Sequence, residues 1–93
     1  MKNEAGVIAG VVFEDTMRSI SRNLEILESG IKLDQVIINL TKSGALLQIK
    51  AKRARAAAHV RTKATHAQRV EFELSDVEAT ISFTEELINA HLA

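Results

Sequence analysis

The sequence predicts an all-α fold, a four-helix up-and-down bundle, in a single domain covering residues 1–93. Three observations predict it. Apolar residues recur at intervals of three and four, which places them on one side of a helix. Proline is absent and strand-type alternation is nearly missing. By surface scaling, a chain of 93 residues buries about 64% of its unfolded surface, which is enough for one core.

The first two helices follow from apolar spacing and glycine breaks. Helix one is predicted over about residues 4–27, until Ser29-Gly30 breaks the pattern. Its apolar stripe has steps of four and three: Phe13, Met17, Ile20, Leu24 and Leu27. A short second helix ends at Ser43-Gly44. Its apolar face is formed by Leu33, Val36, Ile37 and Leu40.

The third and fourth helices differ in composition. Helix three is predicted over about residues 45–65 and allows close helix approach, because its inner stripe is mostly alanine: Leu47, Ala51, Ala54 and Ala58. The last helix is predicted to begin at Ser75, where Ser75-Asp76-Val77-Glu78 has the form of a capping box. One face of it is then Val77, Ile81 and Ile88, with Phe83 and Leu87 beside it. Residues 67–74 alternate apolar and acidic side chains, which predicts an extended connector.

Charge is divided along a chain whose formal net charge is zero. Residues 50–69 carry seven basic side chains and no acidic one, whereas residues 70–93 carry six acidic side chains and no basic one. Two interpretations remain open, and they are compatible with each other. The basic helix packs beside the acidic helix and is neutralised, or it presents a cationic face to a polyanion.

Helix three also carries the side chains best suited to chemistry. His59, Thr62, Lys63 and His66 have helical spacing along one stripe, which is flanked by Arg55 and Arg61. The planar fork of Arg61 suits a phosphate oxygen. His66 suits proton transfer, because the ordinary pKa of histidine is close to neutral. The stripe therefore predicts a site for a phosphodiester.

Metal and cofactor sites are not expected. Cysteine is absent, and His59 and His66 are separated by about 10.5 Å of helix axis, too far to share one ion. There is no glycine-rich phosphate loop. Because the basic stretch contains no aromatic residue, nucleic-acid contact is expected to be to the backbone and sensitive to salt. No segment reads as a signal peptide or a membrane span, so a cytoplasmic protein is expected.

The segment Arg61-Thr62-Lys63-Ala64-Thr65-His66 resembles the R-N-x-x-x-H signature of the HEPN superfamily (higher eukaryotes and prokaryotes nucleotide-binding). The context is also similar to the family's: small residues then Phe13-Glu14 in the first helix, residues 32–45 as the second helix and turn, and the helix opening at residues 74–78. The family's domains are small α-helical bundles. Many are metal-independent ribonucleases of toxin–antitoxin and phage-defence systems.

The resemblance implies an endoribonuclease site at a homodimer interface. His66 would move the proton, Arg61 would stabilise the phosphorane, Thr62 would orient His66, and Glu14 would position Arg61. RNA backbone contacts are expected from Arg55, His59, Lys63 and Arg69. An antitoxin or a nucleotidyltransferase is the further partner that the family implies.

The chain departs from the signature at Thr62, where the family has asparagine. Threonine lacks the second donor of the amide, so a non-catalytic dimerisation or RNA-binding module is the alternative function. A second register, from Arg53 to His59, has an allowed length but lacks the connector and cap that follow. A third interpretation is an interaction bundle unrelated to nucleic acid. The domain is expected either alone or within a longer protein.

Overall fold

The structure, a computed structural model, describes the backbone of residues 2–65 and 74–92 and the side chains of residues 6–59 and 75–92. It contains four helices in this part of the chain: α1 (Lys2–Asn23), α2 (Leu33–Lys42), α3 (Gln48–Thr65) and α4 (Leu74–His91). No strand occurs among these residues. The predicted all-α helical bundle is confirmed. The predicted connector lies outside the described residues, except for Leu74, which begins α4.

α1 presents one continuous side to the core. Its buried residues follow helical spacing and begin with small ones: Gly6, Ala9, Gly10, Phe13, Thr16, Met17, Ile20 and Ser21. The prediction that the stripe continues through Leu24 and Leu27 was wrong, since these side chains are 48% and 64% exposed. The physical reason is that α1 ends at Asn23, before either of them.

A Schellman motif ends α1. The amide of Ile26 donates to the carbonyl of Ser21 (2.8 Å), and the amide of Glu25 donates to that of Arg22 (3.1 Å). Glu25 has a φ of 58°, in the left-handed region. Glycine usually occupies this position. Because the chain has Glu25 there, the sequence contains no glycine that would predict the turn. The chain is then turned back towards the core, where Ile26 is partly buried.

Arg18 fastens the loop that follows. Its guanidinium donates to the backbone carbonyls of Glu28 and Ile31, the second at 2.9 Å, and to the carboxylate of Glu14 at 3.0 Å. The side chain is 20% exposed. One arginine of α1 thereby satisfies two loop carbonyls and sets the direction from which α2 starts.

α2 has the predicted core face, with Val36, Ile37 and Leu40 buried and Leu33 half-buried. It ends as predicted at Ser43-Gly44, where Gly44 has a φ of 87°. The amide of Ala45 donates to the carbonyl of Leu40 (3.1 Å), and that of Gly44 to Thr41 (3.1 Å). This is a second Schellman motif, and it determines where the chain leaves α2.

α3 begins at Gln48, later than residue 45, which changes the role of Leu47. That residue was predicted to lie in the inner stripe, but it precedes the helix and is 71% exposed. Leu46 is buried in its place. The remaining stripe is confirmed, because Ala51, Ala54 and Ala58 are buried.

The core face of α4 is rotated from the predicted one. Val77, Phe83 and Leu87 are buried, but Ile81 and Ile88 are 46% and 37% exposed. Two threonines complete the buried side, Thr80 and Thr84. Their hydroxyls donate to the carbonyls four residues earlier, at 2.9 and 2.7 Å. Because these bonds form within the helix, a threonine can enter the core with its hydroxyl satisfied.

α3 and α4 run antiparallel. Arg53, near the beginning of α3, forms an ion pair with Glu86, near the end of α4, with an N–O distance of 2.6 Å. The ring centroids of Phe13 and Phe83 are 6.1 Å apart, which joins α1 to α4 through the core. None of the helices in the described part of the chain is long and apolar enough to cross a membrane.

Candidate nucleic-acid interface

An exposed cationic stripe follows α3. Lys52, Arg55 and His59 are exposed and occur at spacings of three and four, so they occupy one side of the helix. The whole of α3 contains no acidic residue. Positive charge on this side is therefore not compensated from within the helix. Arg55 and His59 are where an interface with a polyanion requires them to be, on the surface.

Arg53 has a different role. Both terminal nitrogens of its guanidinium donate to the carboxylate of Glu86, at 3.0 and 2.6 Å. This hydrogen-bonded pair raises the pKa of Arg53 and lowers the pKa of Glu86. The pairing of the basic and acidic helices that the sequence suggested is thus present, among the described side chains, between Arg53 and Glu86. The neighbouring stripe keeps its exposed cations.

Arg53 also covers the ring of Phe83. Its Cζ lies 4.5 Å from the ring centroid, within the range of a cation–π interaction. Phe83 is only 2% exposed and contacts Phe13 elsewhere. Arg53 is thereby held at two points, by the carboxylate of Glu86 and by the ring of Phe83.

A groove of about 460 Å³ lies between α3 and α4. It exists because the facing side chains are short, among them Ala56, Ala57 and Ala79. Arg53 and His59 also line it from α3. His59 therefore belongs both to the cationic stripe and to the groove.

The central residues of the predicted site fall at the edge of what is described. The backbones of Arg61, Thr62 and Lys63 belong to α3, which places positions 62 and 63 about one turn beyond His59. Their side chains lie outside the described residues, as do His66 and Arg69 altogether. Their roles stay predictions.

Glu14 lies in α1, and its carboxylate accepts a hydrogen bond from Nε of Arg18 at 3.0 Å. It is partly buried, with 24% of its side chain exposed. Its expected pairing with Arg61 stays a prediction, because that side chain is outside the described range.

Sequence reasoning missed the contribution of α4 to this surface. Phe83 was noted only as an apolar residue, and Glu86 only as one of six acidic ones. The segregated charges gave a general signal that α3 and α4 attract each other. They gave no signal for which arginine would be paired, because that depends on the relative rotation of the two helices.

The outer side of α1 forms an apolar band. Ile8, Val11 and Val12 are 65%, 53% and 47% exposed, and Val7 adjoins them at 36%. The band lies opposite the buried side of the same helix. Large side chains grouped in this way are typical of a surface that another protein covers.

Among the described side chains, no three histidine, aspartate or glutamate residues come together as metal ligands would. Comparison of the chain with models of known families, with curated proteins and with solved structures found no match.

Proposed function

We propose that this chain is a HEPN-like domain that acts on RNA as a metal-independent endoribonuclease, with its site at a homodimer interface. The observation that supports it best is the exposed stripe of Lys52, Arg55 and His59 on a helix without acidic residues. Along the sequence, this helix leads directly to Arg61 and His66. The positive charges of Lys52 and Arg55 in such a row match the repeating negative charges of a phosphodiester backbone.

The proposed reaction is an internal transfer at phosphorus. The 2′-hydroxyl oxygen of the RNA attacks the adjacent phosphorus while His66 accepts its proton. The bond from phosphorus to the 5′-oxygen breaks, and the partner subunit's His66 protonates that oxygen. The products are a 2′,3′-cyclic phosphate and a 5′-hydroxyl. Arg61 stabilises the negative charge on the phosphorane oxygens. The proposed reaction therefore uses positioned cationic side chains to stabilise the transition state and needs no metal ion.

A homodimer is part of the proposal because the reaction needs both a base and an acid. A twofold axis supplies the two histidines from equivalent positions. The apolar band of α1 supports an association of this kind, since it offers Ile8, Val11 and Val12 for burial. We further propose that the protein acts in the cytoplasm as part of a toxin–antitoxin or phage-defence system. Its partner there would be an antitoxin or a nucleotidyltransferase.

The alternative is a non-catalytic HEPN-like module that dimerises or binds RNA. Thr62 favours it, because threonine offers one donor where the family's asparagine offers two. Phosphate contacts by Lys52 and Arg55 would persist in such a module, whereas orientation of His66 would be weaker.

The deciding experiment is RNA cleavage in EDTA by purified protein, with product ends analysed for 2′,3′-cyclic phosphate. The variants are His66→Ala and Thr62→Asn, with His91→Ala as the matched control at a histidine the proposal does not use. The parent and the control should cleave, and His66→Ala should lose at least about 100-fold of the rate, as expected for removal of a general acid–base group.

The other outcomes separate the two functions. A silent parent with an active Thr62→Asn variant identifies an RNA-binding module with an otherwise complete site. Silence of the parent and of all three variants, with salt-dependent RNA binding, supports the non-catalytic module. Absence of both cleavage and RNA binding contradicts the proposal and leaves the interaction bundle.

A further inference from the structure

The guanidinium of Arg53 forms a fixed planar surface. A bidentate pair with a carboxylate orients the plane of an arginine, because two parallel N–H bonds allow little rotation. Here Glu86 accepts both bonds, and Cζ lies over the ring of Phe83, 4.5 Å from its centroid. The side chain is still 40% exposed. Because Arg53 lines the groove, its exposed part is accessible to whatever enters there.

The groove has the dimensions and lining of a small-molecule site. Its volume of about 460 Å³ falls within the range of roughly 300–1,000 Å³ typical of ligand pockets. Ala56, Ala57 and Ala79 provide apolar walls, and the exposed Ser82 and His59 provide polar edges. An aromatic ring of modest size with hydrogen-bonding edges would match this combination.

The cationic stripe indicates that the aromatic ring entering the groove is a nucleic-acid base. Lys52 and Arg55 precede the groove residues Arg53 and Ala56 by one position each, about 100° around α3, so the stripe lies on the side of the helix next to the groove. His59 belongs to both. A nucleic-acid backbone lying on the stripe would carry its bases over the opening, and single-stranded RNA binds proteins by placing unstacked bases on aromatic rings or guanidinium planes.

We propose that the groove between α3 and α4 is a base-binding subsite, in which one unstacked base of single-stranded RNA stacks on the guanidinium of Arg53 while Lys52 and Arg55 contact the adjacent phosphates. This rests on the proposed action on RNA and deepens it. Arg53 acts through its plane, because its charge is already matched by Glu86. The exposed cations Lys52 and Arg55 supply the charge.

The test measures binding, so that it does not depend on cleavage. Fluorescence anisotropy compares two single-stranded oligonucleotides of equal length with 2′-O-methyl riboses, which lack the attacking hydroxyl. One carries all its bases, and the other is abasic at its central positions. The parent should bind the complete oligonucleotide about fivefold or more tightly, as expected for one stacked base.

Two substitutions, each with a control, test whether the preference for the complete oligonucleotide depends on Arg53 and on the groove. Arg53→Lys keeps the positive charge and removes the plane, so it should abolish the preference for bases and preserve the salt dependence. Arg55→Lys is its control and should keep the preference. Ala56→Leu fills the groove from an exposed position and should also abolish it, whereas Ala90→Leu, at an exposed alanine away from the groove, should not. Thermal unfolding confirms that each variant is folded.

The outcomes distinguish this subsite from the function on which it rests. Equal binding of both oligonucleotides by the parent overturns the subsite and leaves phosphate binding intact. Retention of the preference in both Arg53→Lys and Ala56→Leu overturns it as well. A change of oligomeric mass in Ala56→Leu, with the preference unchanged, would assign the groove to a second copy of the chain. If neither oligonucleotide binds, the proposed action on RNA fails first.

Discussion

At the scale of single residues, two arginines of α3 that are two positions apart, Arg53 and Arg55, have different surroundings. Arg53 is paired with Glu86 and lies over the ring of Phe83, whereas Arg55 is exposed. A step of two residues rotates the position by about 200° around a helix, which is enough to separate the helix interface from solvent. Basic residues in the same run therefore differ in charge pairing: the charge of Arg53 is matched by Glu86, and that of Arg55 is exposed to solvent.

The Arg53–Glu86 pair predicts how stability depends on pH. Because the pKa of Glu86 is lowered in the folded protein from its ordinary value of 4.5, the stabilisation is complete above that value. It is lost as the pH falls through the folded pKa, since the unfolded chain then binds the proton more readily. We expect the free energy of unfolding to fall as the pH drops below about 4.5, and to fall less steeply in Glu86→Gln.

Glu85→Gln is the matched control, because it removes the same charge from the neighbouring exposed position. Urea unfolding at several pH values measures each slope. The same slope in Glu86→Gln as in the parent, with Glu85→Gln also unchanged, would show that the pair makes no contribution in solution.

At the scale of the elements, two helices end in the same way with different residues. Glu25 and Gly44 occupy equivalent positions of two Schellman motifs, with φ of 58° and 87°. Left-handed backbone is strained for a residue with a side chain and unstrained for glycine. The turn after α1 is thus formed against local preference, and Arg18 and the burial of Ile26 stabilise it.

A reciprocal pair of substitutions tests this assignment. Glu25→Gly should raise the free energy of unfolding by about 0.5–1 kcal/mol, because strain at the helix end is relieved. Gly44→Ala should lower it by about 1 kcal/mol. A Cβ at Gly44 would meet no atom within 4 Å, so its cost comes from the backbone alone.

Urea unfolding at neutral pH measures both effects. Equal changes of the same sign in the two variants would contradict the assignment, because helical propensity or unfolded-state entropy would then dominate at both positions.

At the scale of the whole molecule, α1 has apolar residues both on the side that faces the core and on the side that faces outward. One side, which includes Ala9, Phe13 and Ile20, faces the core. The opposite side carries the apolar band of Ile8, Val11 and Val12 and faces outward. A surface helix in a monomer ordinarily places polar residues on its outer side. Exposed β-branched residues here are consistent with the homodimer that we propose.

Val11→Glu therefore should convert a dimer into a monomer, because two like charges would be buried across a twofold axis. Light scattering after size exclusion should give twice the chain mass of 10.2 kDa for the parent and the single mass for the variant. Ile49→Glu, at a residue 78% exposed near the start of α3, is the control that should remain dimeric. A dimeric Val11→Glu would place the interface elsewhere.

The fold was predictable where a local rule decided it. Helical spacing predicted all four helices and the core faces of α2 and most of α3, and Ser43-Gly44 predicted the end of α2. The errors have two causes. Leu24 and Leu27 lie beyond the end of α1, which no glycine marks, and Leu47 precedes α3. Ile81 and Ile88 lie within α4 but away from its buried side, because packing against the other helices sets the rotation of α4.

The candidate site was predictable in composition but not in arrangement. The sequence identified α3 as the basic helix and singled out Arg55 and His59, which are exposed. It could not identify Arg53, Phe83 and Glu86 as one cluster, because Arg53 and Glu86 are 33 positions apart. The spacing of residues along one helix predicts which of them share a side of that helix, but not which residues of another helix they contact.

By itself, the sequence determined the helices, their charge and the side of α2 that is buried, because these depend on spacing within one turn or two. The tertiary structure decided the rotation of α4, which buried Thr80 and Thr84 and exposed Ile81 and Ile88. It also decided which arginine met a carboxylate and where short side chains left a groove. These features depend on how helices distant in the chain pack, and that is settled by the joint burial of all four surfaces.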